Sequence, residues 1–393
     1  MINFKEAIEI VLKNVRPLPP VKTRVEDAAG RVLQEDIRSG LEMPPFNKSA
    51  VDGYAVRAAD LVRARRLRCT AMVQAGESFL GKLRAGECVK IMTGAPVPAG
   101  ADAVVMVEYT SEKNGLVKFA AGIKKGKNIA VRGEDIKKGQ KILACGTVIK
   151  ISHIAALAAV GRGKVKTGAL PRVSLVNTGG EIVPPGTELG RNRIYNSNGP
   201  MLAAMLGADG IKAVPVIVRD EARKLKAALA KALKADIVLI SGGVSMGDYD
   251  LVPGVLKSLG VKMIFHKVRV KPGKPMFFGT KGDRLVFGIP GNPVSNFMAY
   301  LAYIRPAIRK MSGRPDFAPR FLEGACAAAF KPRTPRRAMV LSRVRAKTEY
   351  SLCEVSNNGS ADIIALAGAD AFTMIREGGS VNKGGKAKFI GWD

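Results

Sequence analysis

The sequence predicts an α/β protein that also carries β-rich domains, and three observations support this fold class. Between residues 171 and 313, apolar runs that end at Gly-rich turns alternate with helical stretches, as in a doubly wound, mostly parallel sheet. Between residues 40 and 139, short β-like runs are interrupted every few residues by Gly, Pro or Asn. From residue 314 onward, short β-like runs such as RAMVLSRVRA return. At roughly one domain per 150 residues, 393 residues allow two to four domains.

The first 15 residues predict an amphipathic helix, because apolar side chains such as Phe4 and Ile8 recur at helical spacing. Asn3 and Glu6 have the spacing of a capping box at its start. An acidic residue inside the pattern excludes a signal peptide. Residues 150–160, KISHIAALAAV, predict another helix.

The α/β region contains four predicted strands, VSLVNTGG, KAVPVIV, ADIVLISGG and LVFGIPG, which end near residues 179, 218, 241 and 289. The helical stretches between and after them include GPMLAAML, DEARKLKAALAKALK and VSNFMAYLAYIRPAIRKM. Ligands of doubly wound sheets bind beyond the carboxyl ends of the strands. We therefore expect the functional residues at these four turns.

The net charge of +30, from 63 Lys and Arg against 33 Asp and Glu, predicts attraction to anions. Nucleic-acid binding is not expected, because only 6% of the residues are aromatic and the basic clusters at residues 61–68 and 331–337 contain no aromatic side chains. A general Lys/Arg bias would explain much of the charge equally well. The excess therefore has no functional explanation at this point.

The five cysteines lie far apart and form no C-x-x-C pair, which fits neither a disulfide framework nor a zinc site. The chain contains no apolar run near the roughly 18 residues that a membrane-spanning helix needs. We expect a soluble protein of the reducing cytoplasm, without a membrane partner.

The turn after ADIVLI predicts a phosphate site. Glycines at Gly242 and Gly243 allow backbone N–H groups to face an anion, and Ser245 can add a hydroxyl donor. An ordinary tight turn would explain the glycines as well. Asp248 and Asp250 favour a function, because a carboxylate beside a phosphate needs a cation between them or a chemical role of its own.

The segment from residue 251 to 282 contains seven Lys or Arg and no acid, and it predicts an anion site. In KPGKP, two prolines restrict the backbone around a glycine and hold Lys271 and Lys274 close together. Lys267 and Lys271 would share one face of an extended VRV run. A solvated loop is the alternative.

Two further groups of residues lie at predicted strand ends. In FGIPGNPVSNF, Asn292 can cap a helix that has Pro293 in its first turn and Ser295 near its positive end, and capping alone would explain the first two. Glu181 follows the first strand, and Asp220 follows the second, where it could equally be a helix cap. In the β-rich region, Asp52 precedes Gly53 in a common turn dipeptide, and its position relative to the sheet is open.

The chain resembles the molybdopterin molybdenumtransferases, which are related to the C-terminal part of gephyrin. Eight motifs occur in the family's order over nearly the whole chain: PPFNKSAVDGYAVRAAD, IMTGAPVPAGADAVVMVE, VRGEDIKKGQ, NTGGEIVPPG, IYNSNGPML, LISGGVSMGDYD, VRVKPGKPMFFG and FGIPGNPVSN. Eight ordered motifs are far more specific than any one of them.

The resemblance implies four domains and a homodimer. These are an elongated N-terminal domain at residues 1–40 and 137–170, an inserted β-rich domain at 41–136, a molybdopterin-binding three-layer α/β domain at 171–313 and a C-terminal β-barrel at 314–393. The cleft is expected between the α/β domain of one subunit and the N-terminal domains of the other, so that Asp52 and Thr93 act across the interface.

The resemblance also implies the site residues. The expected catalytic residues are Asp52, Thr93, Glu181, Asp220, Asp250, Lys267 and Lys271. The expected substrate contacts are Gly242, Gly243, Ser245, Lys274, Pro275, Pro290, Pro293, Ser295, Arg337 and Ser360, the last two from the weakly matching C-terminal domain. Gly180 stands where relatives often carry Asp, which removes one acid beside Glu181.

The implied activity is insertion of molybdate into adenylylated molybdopterin, with release of AMP and formation of the molybdenum cofactor. Mg²⁺ is the expected ion, because carboxylate, phosphate and water are its ligands, but the metal-binding acid stays open. The adenylylated substrate would be handed over by an adenylyltransferase. The alternatives are a molybdopterin adenylyltransferase or a non-catalytic anion-binding scaffold, and tungstate could replace molybdate. All these expectations require two segments to meet in one pocket. They are the loop that carries Lys271 and Lys274, here called the lysine loop, and the turn of Gly242 and Gly243, here called the glycine turn.

Overall fold

The structure is a computed structural model of the chain, and it describes residues 1–244, 251–346 and 348–392. The chain divides into two compact units. The larger unit comprises Met1–Gln34, Gly146–Lys150 and Lys164–Asp393, and the smaller unit comprises Glu35–Cys145 and Ile151–Gly163. The four predicted domain boundaries are finer than this division and stay predictions.

A six-stranded sheet, here called the central sheet, forms the core of the larger unit. In spatial order its strands are Pro215–Val218, Val173–Thr178, Ile237–Ser241, Arg284–Ile289, Pro275–Lys281 and Lys262–Lys267. The first four strands run parallel to one another, and each of the last two is antiparallel to the strand before it. The carboxyl ends of the four parallel strands therefore meet at one edge of the sheet.

The strand Ile237–Ser241 shows why the apolar runs are continuous. Ile237 and Leu239 pack into the core on one face of the sheet, whereas Val238 and Ile240 pack into the core on the other. All four side chains are fully buried. A strand that is covered on both faces needs apolar residues at every position.

Helices cover both faces and make three layers. One face is covered by Phe4–Lys13, Asn198–Ala208 and the run Pro293–Ala299, Tyr300–Ile304 and Arg305–Met311, whose middle part is a π-helix. The other face is covered by Ala222–Ala232 and Leu251–Ser258. The predicted capping box is confirmed, since the N–H of Glu6 donates to Asn3 Oδ1 at 2.8 Å and the N–H of Asn3 donates to Glu6 Oε2 at 3.2 Å.

The C-terminal part of the larger unit is a closed barrel of five strands: Arg337–Ala346, Tyr350–Glu354, Leu322–Cys326, Lys386–Gly391 and Ala371–Ile375. The last strand pairs with the first and closes the barrel. Its interior is filled by apolar side chains that include Phe330, Leu352 and Phe389. The helix Ile363–Ala367 lies between two of the strands in sequence.

A two-residue strand connects the central sheet with the barrel. Lys267 is paired with Pro275 in the central sheet, but Val270–Lys271 pairs in parallel with the start of the barrel strand Arg337–Ala346. The predicted extended run through Lys267 and Lys271 is therefore wrong, because the chain changes from one sheet to the other between these residues.

The other short elements of the larger unit are Val21–Arg24, which pairs with Lys164–Thr167, and Ile182–Val183, which pairs with Ile194–Tyr195. A 3₁₀ turn covers Val25–Asp27. Among the described residues, no helix is both long and apolar enough to span a bilayer.

The smaller unit is built on a second six-stranded sheet, which is mainly antiparallel. Its spatial order is Ala103–Met106, Gly53–Val56, Glu87–Ile91, Arg66–Val73, Leu116–Phe119 and Thr110–Lys113. The smaller unit also contains two separate two-stranded sheets. One pairs Lys48–Ser49 with Ile129–Ala130, and the other pairs Ile37–Arg38 with Lys141–Leu143. Its helical elements are Asp60–Arg63, Val107–Tyr109 and Ile151–Ala159.

The predicted fold class is confirmed, and so are the four predicted strands of the α/β region. The sequence did not predict Lys262–Lys267 and Pro275–Lys281, the two antiparallel strands at one side of the central sheet. Lys262–Lys267 lies at the edge and has exposed residues at both ends. An edge strand of this kind lacks the continuous apolar pattern of the four parallel strands.

Candidate functional site

Two pockets on the larger unit contain most of the predicted site residues. The first, of about 410 Å³, is lined by Lys271 and Lys274 and is called the lysine pocket. The second, of about 330 Å³, is lined by Gly242 and Gly243 and is called the glycine-turn pocket. The described residues therefore place the lysine loop and the glycine turn in two cavities rather than in the single pocket that the sequence predicts.

The turn of residues 290–292 belongs to both pockets, which makes them neighbours. Pro290 and Asn292 line the lysine pocket, and Gly291 between them lines the glycine-turn pocket. Side-chain amides fix this turn: Asn198 Nδ2 donates to the carbonyl of Gly291 at 2.5 Å, and Asn296 Nδ2 donates to the carbonyls of Pro290 and Asn292.

The glycine-turn pocket lies where three parallel strands end, at Thr178, Val218 and Ser241. Gly242 and Gly243 have φ of 97° and 60°, in the left-handed region. A Cβ on Gly242 would overlap the carbonyl oxygen of Thr178, and one on Gly243 would lie 2.7 Å from Thr178 Oγ1. Only glycine fits this turn.

The prediction of a phosphate cradle from both glycines is only partly supported by this geometry. The N–H of Gly242 donates to the carbonyl of Ile289 at 3.1 Å. This N–H is therefore already hydrogen-bonded to the neighbouring strand and is not available to a ligand. Within the described part of the chain, the N–H of Gly243 makes no backbone hydrogen bond, so of the two it is the one that can serve a ligand. Ser245, Asp248 and Asp250 lie outside the described residues.

Two predicted acids, Glu181 and Asp220, line the glycine-turn pocket. Asp220 is not the helix cap, because the N-cap position of Ala222–Ala232 is Glu221. Instead, Asp220 Oδ2 accepts a hydrogen bond of 3.2 Å from the N–H of Gly180. Within the described part of the chain, no three His, Cys, Asp or Glu residues form a group able to hold a metal.

The lysine pocket contains five predicted substrate contacts besides Lys271: Lys274, Pro275, Pro290, Ser295 and Ser360. Ser295 is 2% exposed and lies in the first turn of Pro293–Ala299. Pro293 starts this helix as predicted, but it is buried beneath the pocket and does not line it.

The barrel supplies the opposite wall of the lysine pocket. Ser360, a predicted contact, lies there, and its Oγ accepts a hydrogen bond of 2.7 Å from Asn292 Nδ2. Asn292 occupies the predicted N-cap position but uses its side chain for this bond instead of capping the helix. One side-chain bond thus joins the helix start to the barrel.

Arg337 does not line the lysine pocket, contrary to the prediction. Its neighbour Arg336 does, and Arg336 Nη1 donates to the carbonyl of Val270 at 3.1 Å. Arg337 lines a separate cavity on the barrel instead. The sequence therefore indicated the segment that lines the pocket, and a substrate contact by Arg337 stays a prediction.

Lys267, also predicted to be catalytic, does not line either pocket. It ends its strand in the central sheet, opposite Pro275, whereas Lys271 lies in the strand that joins the barrel. The change of sheet separates the two lysines.

The lysine pocket has one acid among its described lining residues, Glu354. Burial raises the pKa of this carboxyl. Lysine ammonium groups act in the opposite direction, because they favour the charged carboxylate.

Asp52 and Thr93 come together on the smaller unit. Asp52 Oδ1 accepts hydrogen bonds from the hydroxyl of Thr93 at 2.7 Å and from its N–H at 2.6 Å. The hydroxyl and the N–H both lower the pKa of Asp52, the hydroxyl more strongly. Gly53 is the first residue of the strand Gly53–Val56 in the smaller unit. A Cβ on Gly53 would overlap the carbonyl oxygen of Val105 on the neighbouring strand. The Asp-Gly pair therefore marks a close approach of two strands rather than a turn.

Sequence reasoning missed several polar residues of the two pockets. Asn196, Ser197 and Asn198 line the glycine-turn pocket, and Arg333, Arg336 and Asn357 line the lysine pocket. The Oδ1 of Asn198 and the Oγ1 of Thr178 are buried and have no hydrogen-bond partner within the described part of the chain. The motif IYNSNGPML contains these asparagines and was the available signal.

Three family models match the chain. The model described as MoeA N-terminal region (domain I and II) matches residues 2–161, the probable molybdopterin binding domain matches residues 179–310, and the MoeA C-terminal region (domain IV) matches residues 323–392.

Curated relatives and solved structures agree with these models. A molybdopterin molybdenumtransferase of Staphylococcus epidermidis is 31% identical over 96% of this chain and 92% of its own length. One from Staphylococcus aureus is 30% identical over 98% and 94%. The crystal structure of the molybdopterin biosynthesis MoeA protein from Pyrococcus horikoshii has a TM-score of 0.81 at 30% identity and covers 100% of this chain and 99% of that one.

The contact between Asp52 and Thr93 predicts a measurable pKa change. Thr93→Val removes the stronger of the two hydrogen bonds to Asp52 and leaves the backbone one, so the pKa of Asp52 should rise toward its ordinary value without reaching it. The Asp52 carboxylate would then lose its charge at a higher pH as the solution is acidified. NMR titration of the Asp52 carboxyl carbon measures this shift.

Thr93→Ser, which keeps the hydroxyl, is the matched control and should titrate like the parent protein. An unchanged Asp52 pKa in Thr93→Val would show that the hydroxyl bond does not hold in solution.

Proposed function

Since this chain belongs to the molybdopterin molybdenumtransferase family, we propose that it inserts molybdate into adenylylated molybdopterin, releasing AMP and forming the molybdenum cofactor. The observation that carries the proposal is the pair of adjoining pockets on the larger unit, one lined by lysines and the other at the ends of parallel strands. Two anionic reactants can be held side by side across the turn of residues 290–292.

The lysine pocket is the place for molybdate. Lys271 and Lys274 supply two ammonium groups, and Arg336 adds a guanidinium that is held in place by the carbonyl of Val270. Ser295 and Ser360 add hydroxyl groups from the helix start and from the barrel. A tetrahedral dianion matches this set of cations and donors.

The glycine-turn pocket is the place for the phosphate and adenylate of the pterin. Gly243 offers a backbone N–H, and the buried oxygens of Thr178 and Asn198 can accept hydrogen bonds from N–H or O–H groups of a substrate. Polar groups that are already fixed by the fold bind without further loss of conformational freedom.

Replacing molybdate oxygens with dithiolene sulfurs releases water and therefore needs protons. Glu354 is the acid that lines the lysine pocket among the described residues, and its carboxyl group is the proposed proton carrier there. Lys271 and Lys274 keep the oxyanion in reach while its oxygens are protonated.

Mg²⁺ fits the glycine-turn pocket as part of a substrate complex. Mg²⁺ usually binds one or two carboxylates together with substrate phosphates and water, and Glu181 and Asp220 are the two carboxylates that line the pocket. The ion would neutralise charge on the phosphoanhydride. Asp250, the third predicted acid, lies outside the described residues.

We also propose that the protein works as a homodimer in the cytoplasm. Asp52 and Thr93 belong to the smaller unit, whereas both pockets belong to the larger unit. A second subunit can bring the Asp52–Thr93 pair to the pockets of its partner. An adenylyltransferase would hand over the adenylylated substrate, and tungstate could compete with molybdate.

The two alternatives predict different products. An adenylyltransferase would consume ATP, and a non-catalytic scaffold would release no AMP from adenylylated molybdopterin. The insertion reaction releases AMP only when both molybdate and the adenylylated substrate are present.

Lys271→Ala should reduce molybdate-dependent AMP release by about 10²-fold, because a charge that stabilises the reacting anion is lost. AMP and molybdenum cofactor are measured after incubation with adenylylated molybdopterin and molybdate. Lys257→Ala, which changes an exposed lysine on the helix Leu251–Ser258, is the control and should retain activity. Full activity of Lys271→Ala would remove the lysine pocket from the reaction.

Removal of divalent ions by EDTA should stop AMP release, and added Mg²⁺ should restore it, because the substrate phosphates would face Glu181 and Asp220 without a cation. The assay is the same, with a heat-denaturation scan to show that the protein stays folded. AMP release that EDTA leaves unchanged would exclude the ion.

Mixing two inactive variants tests the shared site. Asp52→Ala and Lys271→Ala should each be inactive alone, but heterodimers formed by mixing should contain one intact site and regain a fraction of the activity. AMP release after subunit exchange measures this recovery. If recovery is absent although mass spectrometry detects heterodimers, Asp52 acts within its own chain or not at all.

A further inference from the structure

The outer surface of the barrel carries a second cationic pocket, here called the barrel pocket. It has a volume of about 330 Å³ and shares no lining residue with the lysine pocket or the glycine-turn pocket. Its lining residues are four cations and four other side chains: Arg337, Arg376, Lys386, Lys388, Met374, Ser380, Val381 and Ala387. The described lining contains no acid.

Strand register brings the cations to the same face. Ala338 pairs with Ile375, and both fill the barrel interior, so the preceding Arg337 and the following Arg376 point outward side by side. Lys388 lies opposite Met374 on the next strand, and Lys386 is two residues from Lys388 on the same face.

The guanidinium group of Arg337 has few hydrogen-bond partners in this position. Its Nε is buried and has no hydrogen-bond partner within the described part of the chain, and its Nη1 contacts only a weak acceptor, Met374 Sδ, at 3.9 Å. A guanidinium group has five N–H donors, and a buried one normally meets a carboxylate, a phosphate or several carbonyl oxygens.

The nearby acids do not neutralise the pocket. Glu323 lies 3.8 Å from Lys386 in an exposed ion pair, and Glu377, next to Arg376 in the chain, pairs with Arg269 at 3.6 Å. Exposed pairs at such distances are weak. Glu323 also lies opposite Lys388 in the strand register, so this one carboxylate serves both lysines. Within the described part of the chain, neither lining arginine has an ion pair.

We propose that the barrel pocket binds a doubly charged oxyanion, either inorganic or carried as a phosphate monoester. Four cations that line one pocket with a single carboxylate beside the two lysines keep a net positive charge, and a dianion between them would turn their mutual repulsion into attraction. Ser380 adds a hydroxyl donor, and Met374 and Val381 give the pocket an apolar floor that an ester group could cover. The site is separate from the reaction pockets and does not depend on the proposed reaction.

Binding is measured by titration calorimetry on the full chain in the Lys271→Ala background, which weakens the lysine pocket. Inorganic phosphate and glycerol 3-phosphate are the probes at fixed ionic strength. The double variant Arg376→Gln/Lys388→Gln should weaken binding of at least one probe more than about 10-fold, because two of the four cations are lost. Tighter binding of glycerol 3-phosphate would identify an ester, and equal binding would identify the inorganic ion.

Lys383→Gln is the control, since Lys383 is exposed on the same barrel but does not line the pocket. It should bind both probes as tightly as the background protein does. If neither probe binds, or if the double variant binds both as the control does, the barrel pocket is only a solvated cationic surface.

A crystal soaked in tungstate gives a second readout that needs no substitution. An anomalous peak within hydrogen-bond distance of Arg337 and Arg376 would support the site, whereas tungsten at the lysine pocket alone would overturn it. AMP release by Arg376→Gln/Lys388→Gln in an otherwise unaltered chain should equal that of the parent protein. A loss of the reaction can therefore be distinguished from a loss of the barrel site.

Discussion

The pairing of Val270–Lys271 with the first barrel strand is the constraint on which the lysine pocket depends. The chain leaves the central sheet after Lys267, forms this pair with the barrel and returns to the central sheet at Pro275. Both ends of the lysine loop are therefore fixed by backbone hydrogen bonds to different sheets. A flexible loop would let two ammonium groups move apart, whereas a loop tied at both ends keeps them near each other without an anion present.

The turn of residues 290–292 depends on the same arrangement. It follows a central strand, it separates the two pockets, and its carbonyl groups are held by the side-chain amides of Asn198 and Asn296. The amide of Asn292 reaches across to Ser360 of the barrel. Each of these hydrogen bonds restricts backbone motion of the turn that Pro290 and Gly291 alone would allow. Three asparagine side chains thus add hydrogen bonds that fix the wall between the pockets.

Much of this fold could be predicted from the sequence, because parallel strands covered on both faces need continuous apolar runs such as IVLIS, followed by glycine. The capping box at Asn3 and Glu6 is equally local. The two antiparallel strands were missed, and in Lys262–Lys267 exposed residues at both ends interrupt the apolar pattern.

The site was less predictable because its residues are brought together by contacts between distant segments. The residue pattern around Asp52 indicated only a turn, and the family resemblance was needed to single it out, because its partner Thr93 is 41 residues away. Arg337 and Lys267 were misplaced because their directions depend on which sheet the chain has joined, and no local pattern carries that information. The division into two pockets likewise depends on a turn whose asparagine partners come from separate helices.

The pair Arg336 and Arg337 shows how the excess positive charge can acquire a role. A net charge of +30 raises the concentration of anions near the whole surface, but it cannot select among them, since exposed cations are screened over about 8 Å at physiological ionic strength. Selection requires cations whose positions are fixed. Arg336 is fixed by the carbonyl of Val270 and lines the lysine pocket, whereas Arg337, whose Nε is buried, lines the barrel pocket. Two neighbouring arginines thus line two cavities that share no residue, and the proposed barrel site would give one dipeptide a part in two anion sites.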